Sequence, residues 1–232
     1  MLKWLFRWLW RATLLALIVL LLIQFWFVIH IWYWVDHNPQ VTAFMQHRLE
    51  QLRKKNPKAV LKQQWTPYNR ISVHLKRAII VAEDAKFREH EGFDWEAIQK
   101  AYEKNLKKGR VVAGGSTISQ QLAKNLFLSG ERTWWRKAQE AVITVMIEAI
   151  MNKRRILELY LNTIEWGNGV FGAEAAARYY FGVTAAALGP EQAARLAAMV
   201  PSPRRYAPGR ETAYLQRRTE IILLRMNSAQ VP

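Results

Sequence analysis

The segment Gly114-Gly115-Ser116-Thr117-Ile118-Ser119-Gln120-Gln121-Leu122-Ala123-Lys124-Asn125 decides how this chain is read. Paired glycines interrupt what precedes it, and Thr117 with Gln120 has capping-box spacing, so a helix is expected over about 116–128. Thr117, Gln121, Lys124 and Leu128 then share one stripe, at i, i+4, i+7 and i+11. A glycine-preceded helix start with free N–H groups, backed by a lysine two turns on, suits a phosphate. An ordinary capped amphipathic helix explains the segment equally well, although two glutamines and a lysine beside the apolar positions are unusual for a plain core stripe.

Outward from this segment, helical spacing and caps recur at 41–55, 71–83, 94–107, 133–152, 153–162, 173–181, 190–200 and 211–226. Residues 58–69 read as irregular, Gly167-Asn168-Gly169 as a turn, and strand signals are nearly absent. The expected fold class is mainly α.

Towards the N-terminus the character changes. Residues 12–35 carry no formal charge. As one helix they reach about 36 Å, enough to cross a ~30 Å hydrocarbon layer with some tilt. Trp4, Trp8 and Trp10 at one end, and Trp32, Tyr33 and Trp34 at the other, form the aromatic belts of a membrane span. Lys3, Arg7 and Arg11 place the N-terminus in the cytoplasm by the positive-inside rule. Bulky residues stand where a signal peptidase would need small ones, which favours an uncleaved anchor. The expected organisation is a cytoplasmic N-terminus (1–11), a single-pass anchor (12–35), a membrane-proximal helix and connector (36–64), and a helical domain outside the membrane (65–232).

The chain holds 34 Lys and Arg against 18 Asp and Glu, a net charge of +16. It has no cysteine, which excludes disulfide scaffolds, thiolate zinc sites and thiol catalysis. Such a basic balance needs an anionic partner. Export makes nucleic acid a poor one and leaves membrane lipid or a phosphate-bearing substrate.

Three further segments bear on chemistry. In EDAKFREHEG (83–92), Glu83 ends an apolar helix, where partial burial would make it a better base. Composition alone favours a solvated, capped helix end. Arg132, Arg136 and Glu140 are spaced i, i+4, i+8, usually an exposed ion pair. Here they enter the nearly apolar run 141–148, where Glu140 and Glu148 need partners. In KRRILELYLN (153–162), Ile156, Leu157, Tyr160 and Leu161 make a core stripe. GNGVFGAEAAARYYFG (167–182) reads as turn, small-residue helix and C-cap; both are read as structural.

The order and spacing of EDAKFREHEG, GGSTISQQLAKN, RKAQE (136–140), KRRILELYLN and GNGVFGAEAAARYYFG resemble glycosyltransferase family 51, the peptidoglycan glycosyltransferases, over roughly residues 65–208. The chain looks most like the monofunctional, membrane-anchored type, since the stretch after Pro208 is too short for a transpeptidase domain. The resemblance implies a lysozyme-like helical domain with a small membrane-associated lobe around 126–150, in which Trp134 and Trp135 are either interfacial or core. It implies polymerisation of lipid II onto a lipid-linked growing glycan strand. The linkage formed is β-1,4, with inversion at MurNAc C1 and loss of undecaprenyl diphosphate.

On the same resemblance Glu83 is the general base and Glu140 the second essential glutamate. Asp84, Phe87 and His90 support Glu83 and shape the site. Ser116, Thr117, Gln121, Lys124 and Asn125 line the donor cleft, with Lys124, Arg132 and Arg136 facing the diphosphate. Gln139 stands where other members carry a basic residue. No cofactor is tightly bound, although magnesium or manganese assists some members at the diphosphate. The implied setting is the bacterial inner membrane, with the catalytic domain periplasmic and other cell-wall synthesis proteins as partners. Two rivals are a lytic glycosidase and an envelope scaffold that merely holds anionic lipid.

Overall fold

The fold was established from a computed structural model that describes residues 2–110, 112, 114–128, 133–206, 208–209 and 211–232. The chain divides into two compact units, Met1–Asn38 and Pro39–Pro232.

The first unit is one helix, α1 (Leu2–Asp36), longer than the uncharged run 12–35. Its most apolar 18-residue window has a mean hydropathy of 2.7, and by length and composition the helix is apolar enough to cross a membrane. Two of its polar side chains, Thr13 and His30, turn back on the helix backbone. Thr13 Oγ1 donates to Leu9 O (2.9 Å), and His30 Nδ1 lies 2.8 Å from Trp26 O.

The second unit comprises α2 (Ala43–Arg53), α3 (Val73–Glu83), α4 (Trp95–Lys108), α5 (Ile118–Phe127), α6 (Trp134–Ile150), α7 (Lys153–Thr163), α8 (Ala173–Phe181), α9 (Pro190–Met199) and α10 (Ala213–Arg225). Most of these helices open on a polar cap. The side chains of Thr42, Asp94, Thr133, Asn152 and Thr212 accept from backbone N–H groups three residues on. Each cap is worth ~1 kcal/mol; that of Asn152 leaves the helix start where the spacing predicts it, and the other four set it one or two residues later.

The mainly α expectation holds, with one small sheet added, made of β1 (Lys62–Gln63), β2 (Glu165–Gly167) and β3 (Val170–Phe171) in the order β1-β3-β2. β1 runs parallel to β3, with Lys62 opposite Val170, and β2 runs antiparallel to it. Strands of two or three residues are too short to show alternation in sequence. The visible signal is the Asn168-Gly169 turn that joins β2 to β3.

α3 packs against α9 and α10, while α5 packs against α2, α6 and α7. Phe87, Tyr160, Trp166 and Phe171 are fully buried, each contributing about 1.5–3 kcal/mol on the scale for large apolar side chains. Two motif glycines set how closely the pieces approach. Gly92 has φ +93°, and a Cβ there would lie 2.8 Å from Thr144 Cγ2 on α6. A Cβ on Gly115 would lie 2.9 Å from the Ile98 backbone on α4.

Candidate active site

Glu83 is the last residue of α3, with a side chain 11 % exposed. Its Oε2 accepts from Gln121 Nε2 (2.9 Å), and its Oε1 lies 3.7 Å from Arg218 Nη2 on α10. Burial pushes the Glu83 carboxyl above its ordinary value, and the neighbouring Asp84 adds to the shift. The Gln121 hydrogen bond, Arg218 and Lys124 oppose it. Beyond Gln121 the contact continues, because Tyr160 Oη donates to Gln121 Oε1 at 2.9 Å.

The loop after Glu83 clamps the start of α5. Asp84 Oδ2 accepts from Ile118 N (3.0 Å) and its Oδ1 pairs with His90 Nε2 (2.8 Å). Thr117 Oγ1 donates to Gly92 O (2.7 Å) and accepts from Gln120 N, and Gln120 Oε1 returns a bond to Thr117 N. The capping box therefore forms as read. The expectation of free N–H groups for a phosphate does not hold at Thr117, Ile118 and Gln120, whose N–H groups are taken. A carboxylate fits there because the helix N-terminus carries partial positive charge.

A cavity of about 510 Å³ opens beside α5. Ser116, Gln121, Lys124, Asn125, Arg136 and Glu140 line it, among the residues singled out by sequence. Asp84, Phe87, His90 and Thr117 do not line it and form the packed support behind. Glu83 joins it through Gln121. Arg132 lies outside the described residues.

The cavity wall on α5 and α6 is cationic. Glu140, 4 % exposed, accepts from Arg136 Nη1 (3.3 Å) and pairs with Lys137 Nζ. Burial pushes the half-buried Lys124 ammonium below its ordinary value. Glu140 and Glu83 counter that shift, while Arg136 and Lys137 add to it. Arg136 Nε is buried with no partner among the described residues. Three cations around one carboxylate leave an excess that an anionic ligand would neutralise. Both Glu140 oxygens are engaged, and no three His, Asp or Glu side chains converge among the described residues.

Several contributors escaped the sequence reading. Phe44, His47, Arg48 and Gln51 of α2, expected as a membrane-proximal helix outside the catalytic domain, line the cavity. Arg48 is held by Glu165 (2.9 Å), Gln51 (2.8 Å) and Asn168 (2.5 Å). Lys137 lies within RKAQE, and its i, i+3 spacing from Glu140 is the local signal for their ion pair. Tyr160 is in the core as its stripe predicts, and its bond to Gln121 has no counterpart in the periodicity. Arg218 lies beyond the motifs and carries no local signal. Trp134 and Trp135 are 93 % and 69 % exposed, which removes the core alternative for them.

A family model described as transglycosylase matches residues 48–227. The chain belongs to the transglycosylase family. As a member it is a glycosyltransferase with a mainly helical, lysozyme-like domain. The match is wider than the 65–208 seen from motifs and takes in Arg48 and Arg218. Similar relatives named biosynthetic peptidoglycan transglycosylase come from Nitrosospira multiformis, Methylobacillus flagellatus and Laribacter hongkongensis. The first is 65% identical, covering 97% of this chain and 98% of the relative. The second is 63% identical over 96% and 97%. The third is 61% identical over the whole of both.

Proposed function

We propose that this glycosyltransferase builds the glycan strands of peptidoglycan, using lipid II as acceptor and a lipid-linked strand as donor. Glu83 takes the proton from the acceptor 4-hydroxyl. The freed oxygen attacks MurNAc C1 from the face opposite the diphosphate, and the C1–O bond breaks with its electron pair leaving on the diphosphate. One β-1,4 bond forms, one α-phosphate bond is lost, and the configuration inverts.

The supporting observation is the α5 stripe. Gln121 touches the proton acceptor, and Lys124, one turn on, faces the Arg136–Lys137–Glu140 cluster. A sugar hydroxyl has a high pKa and needs a base. A diphosphate leaves readily once its charge is met by preorganised cations. One carboxylate and a basic wall thus suffice. A lytic glycosidase would instead want an acid and, usually, a second carboxylate free to work with water, whereas Glu140 is tied to two cations.

The setting follows from α1 and its basic flank, which favour a cytoplasmic N-terminus and a catalytic domain on the outer face of the inner membrane. The exposed Trp134 and Trp135 favour contact with lipid, from which lipid II would enter. The reading involves no transpeptidase step.

The test is purified full-length protein with labelled lipid II in vesicles. The reading expects polymer with release of undecaprenyl diphosphate. Cleavage of preformed glycan without polymer would replace it with the lytic alternative, and no reaction on either substrate would favour the scaffold.

A further inference from the structure

Tyr160 sits on α7, fully buried, where sequence periodicity explains it as core. Periodicity does not explain its hydroxyl. A buried phenol needs a partner, and this one finds Gln121 Oε1 at 2.9 Å, while the other end of the same amide meets Glu83 Oε2 at 2.9 Å. A primary amide has two different ends, an acceptor oxygen and a donor nitrogen. With the phenol donating to the oxygen, the nitrogen is left to face the carboxylate.

We infer that Tyr160 is a positioning residue for glycosyl transfer, whose hydroxyl locks the Gln121 amide with its N–H end towards Glu83. The inference rests on the reading of Glu83 as the general base. Without the phenolic donor the amide is free to turn and present its oxygen to the carboxylate, two acceptors facing each other. Glu83 would then lose both its orientation and the hydrogen bond that favours its ionised form. Burial holds the Tyr160 phenol well above its ordinary value, with Glu83 and Asp84 adding to the shift, so it stays a donor wherever the enzyme works. The remaining groups around Glu83 are Asp84 next to it, just past the end of α3, Lys124 on α5 and Arg218 on α10. None of them touches Tyr160 Oη, so their effect is the same with or without that hydroxyl.

The test is Tyr160→Phe, which deletes one oxygen and keeps the ring. Lipid II polymerisation is followed against pH beside wild type and Glu83→Gln, with folding checked by circular dichroism. The expected result is a kcat lower by about tenfold, the worth of one hydrogen bond, with KM within twofold. The acid limb of kcat/KM should also move to higher pH, because Glu83 has lost a bond to its charged form. An unmoved limb, with or without a fall in kcat, makes Tyr160 a packing residue only and overturns the inference while leaving the base in place. Wild-type polymerisation by Glu83→Gln overturns the reading beneath it. Should Tyr160→Phe fail to fold, Gln121→Leu breaks the relay at its middle, and an acid limb left where wild type has it overturns the inference equally.

Discussion

The two glutamates of this site are the same side chain in opposite surroundings. Glu83 closes an apolar helix, receives one hydrogen bond from a neutral amide, and has its nearest cation at 3.7 Å. Glu140 enters an equally apolar helix, but Arg136 and Lys137 hold both its oxygens. Burial that outweighs one looser ion pair leaves a carboxylate ready to take a proton. Burial with two cations leaves one whose work is to hold those cations in place. Side-chain type alone would make the pair equivalent, and their neighbours make them different.

The contrast can be broken most sharply at Glu83. Glu83→Gln keeps shape and packing and removes the proton acceptor. Its kcat on lipid II should fall by about 10²–10⁴-fold, the usual contribution of a positioned base, while the protein stays folded. Its thermal stability should move the other way. Burial holds the folded-state pKa of Glu83 above the unfolded value, so the folded protein carries a cost once pH rises above that pKa. Differential scanning fluorimetry should therefore show Glu83→Gln melting higher than wild type at neutral pH. The gain should shrink as pH falls through the folded-state pKa of Glu83.

On the cationic side, Lys124→Met should lower kcat by about 10²–10³-fold, the scale for losing one preorganised charge stabiliser. Glu140→Gln is milder. Arg136 and Lys137 remain but lose the anion that holds them, and a loss of about 10–100-fold follows from charge-assisted bonds worth ~1.5–3 kcal/mol. Because Glu140 does not take the proton in this account, its substitution should leave the acid limb of the pH profile where wild type has it. The smallest effect is structural. Thr117→Ala removes the α5 cap and the bond to Gly92, costing ~1 kcal/mol or somewhat more, read as a Tm lower by about 2–4 °C.

Much of this was legible because the site is built from local signals. The capping box at Thr117 and Gln120, the Asp94 cap and the Gly182 stop are written in spacing and stand where the spacing puts them. The Glu140–Arg136 pair follows from i, i+4. What sequence did not yield depends on chain segments far apart. Arg218 reaches Glu83 across 135 positions, Tyr160 reaches Gln121 across 39, and Arg48 reaches Glu165 across 117. Those contacts arise only once α3, α5, α7 and α10 pack and α2 meets β2, and no periodicity within one helix encodes them. The small sheet was missed for a related reason: β1 joins β3 from more than a hundred residues away. The occupied α5 N-terminus shows the converse error, since a local reading saw free N–H groups and could not see Asp84 folding back onto Ile118.

The most direct test is the pH dependence of kcat/KM for lipid II polymerisation, in wild type and in Glu83→Gln. The account predicts a wild-type acid limb above the ordinary carboxylate value of 4.5, with activity lost as pH falls and Glu83 takes up a proton. The residual activity of Glu83→Gln should be small and should lack that limb. A substitution that leaves the rate near wild type, or a limb that survives in Glu83→Gln, would contradict it.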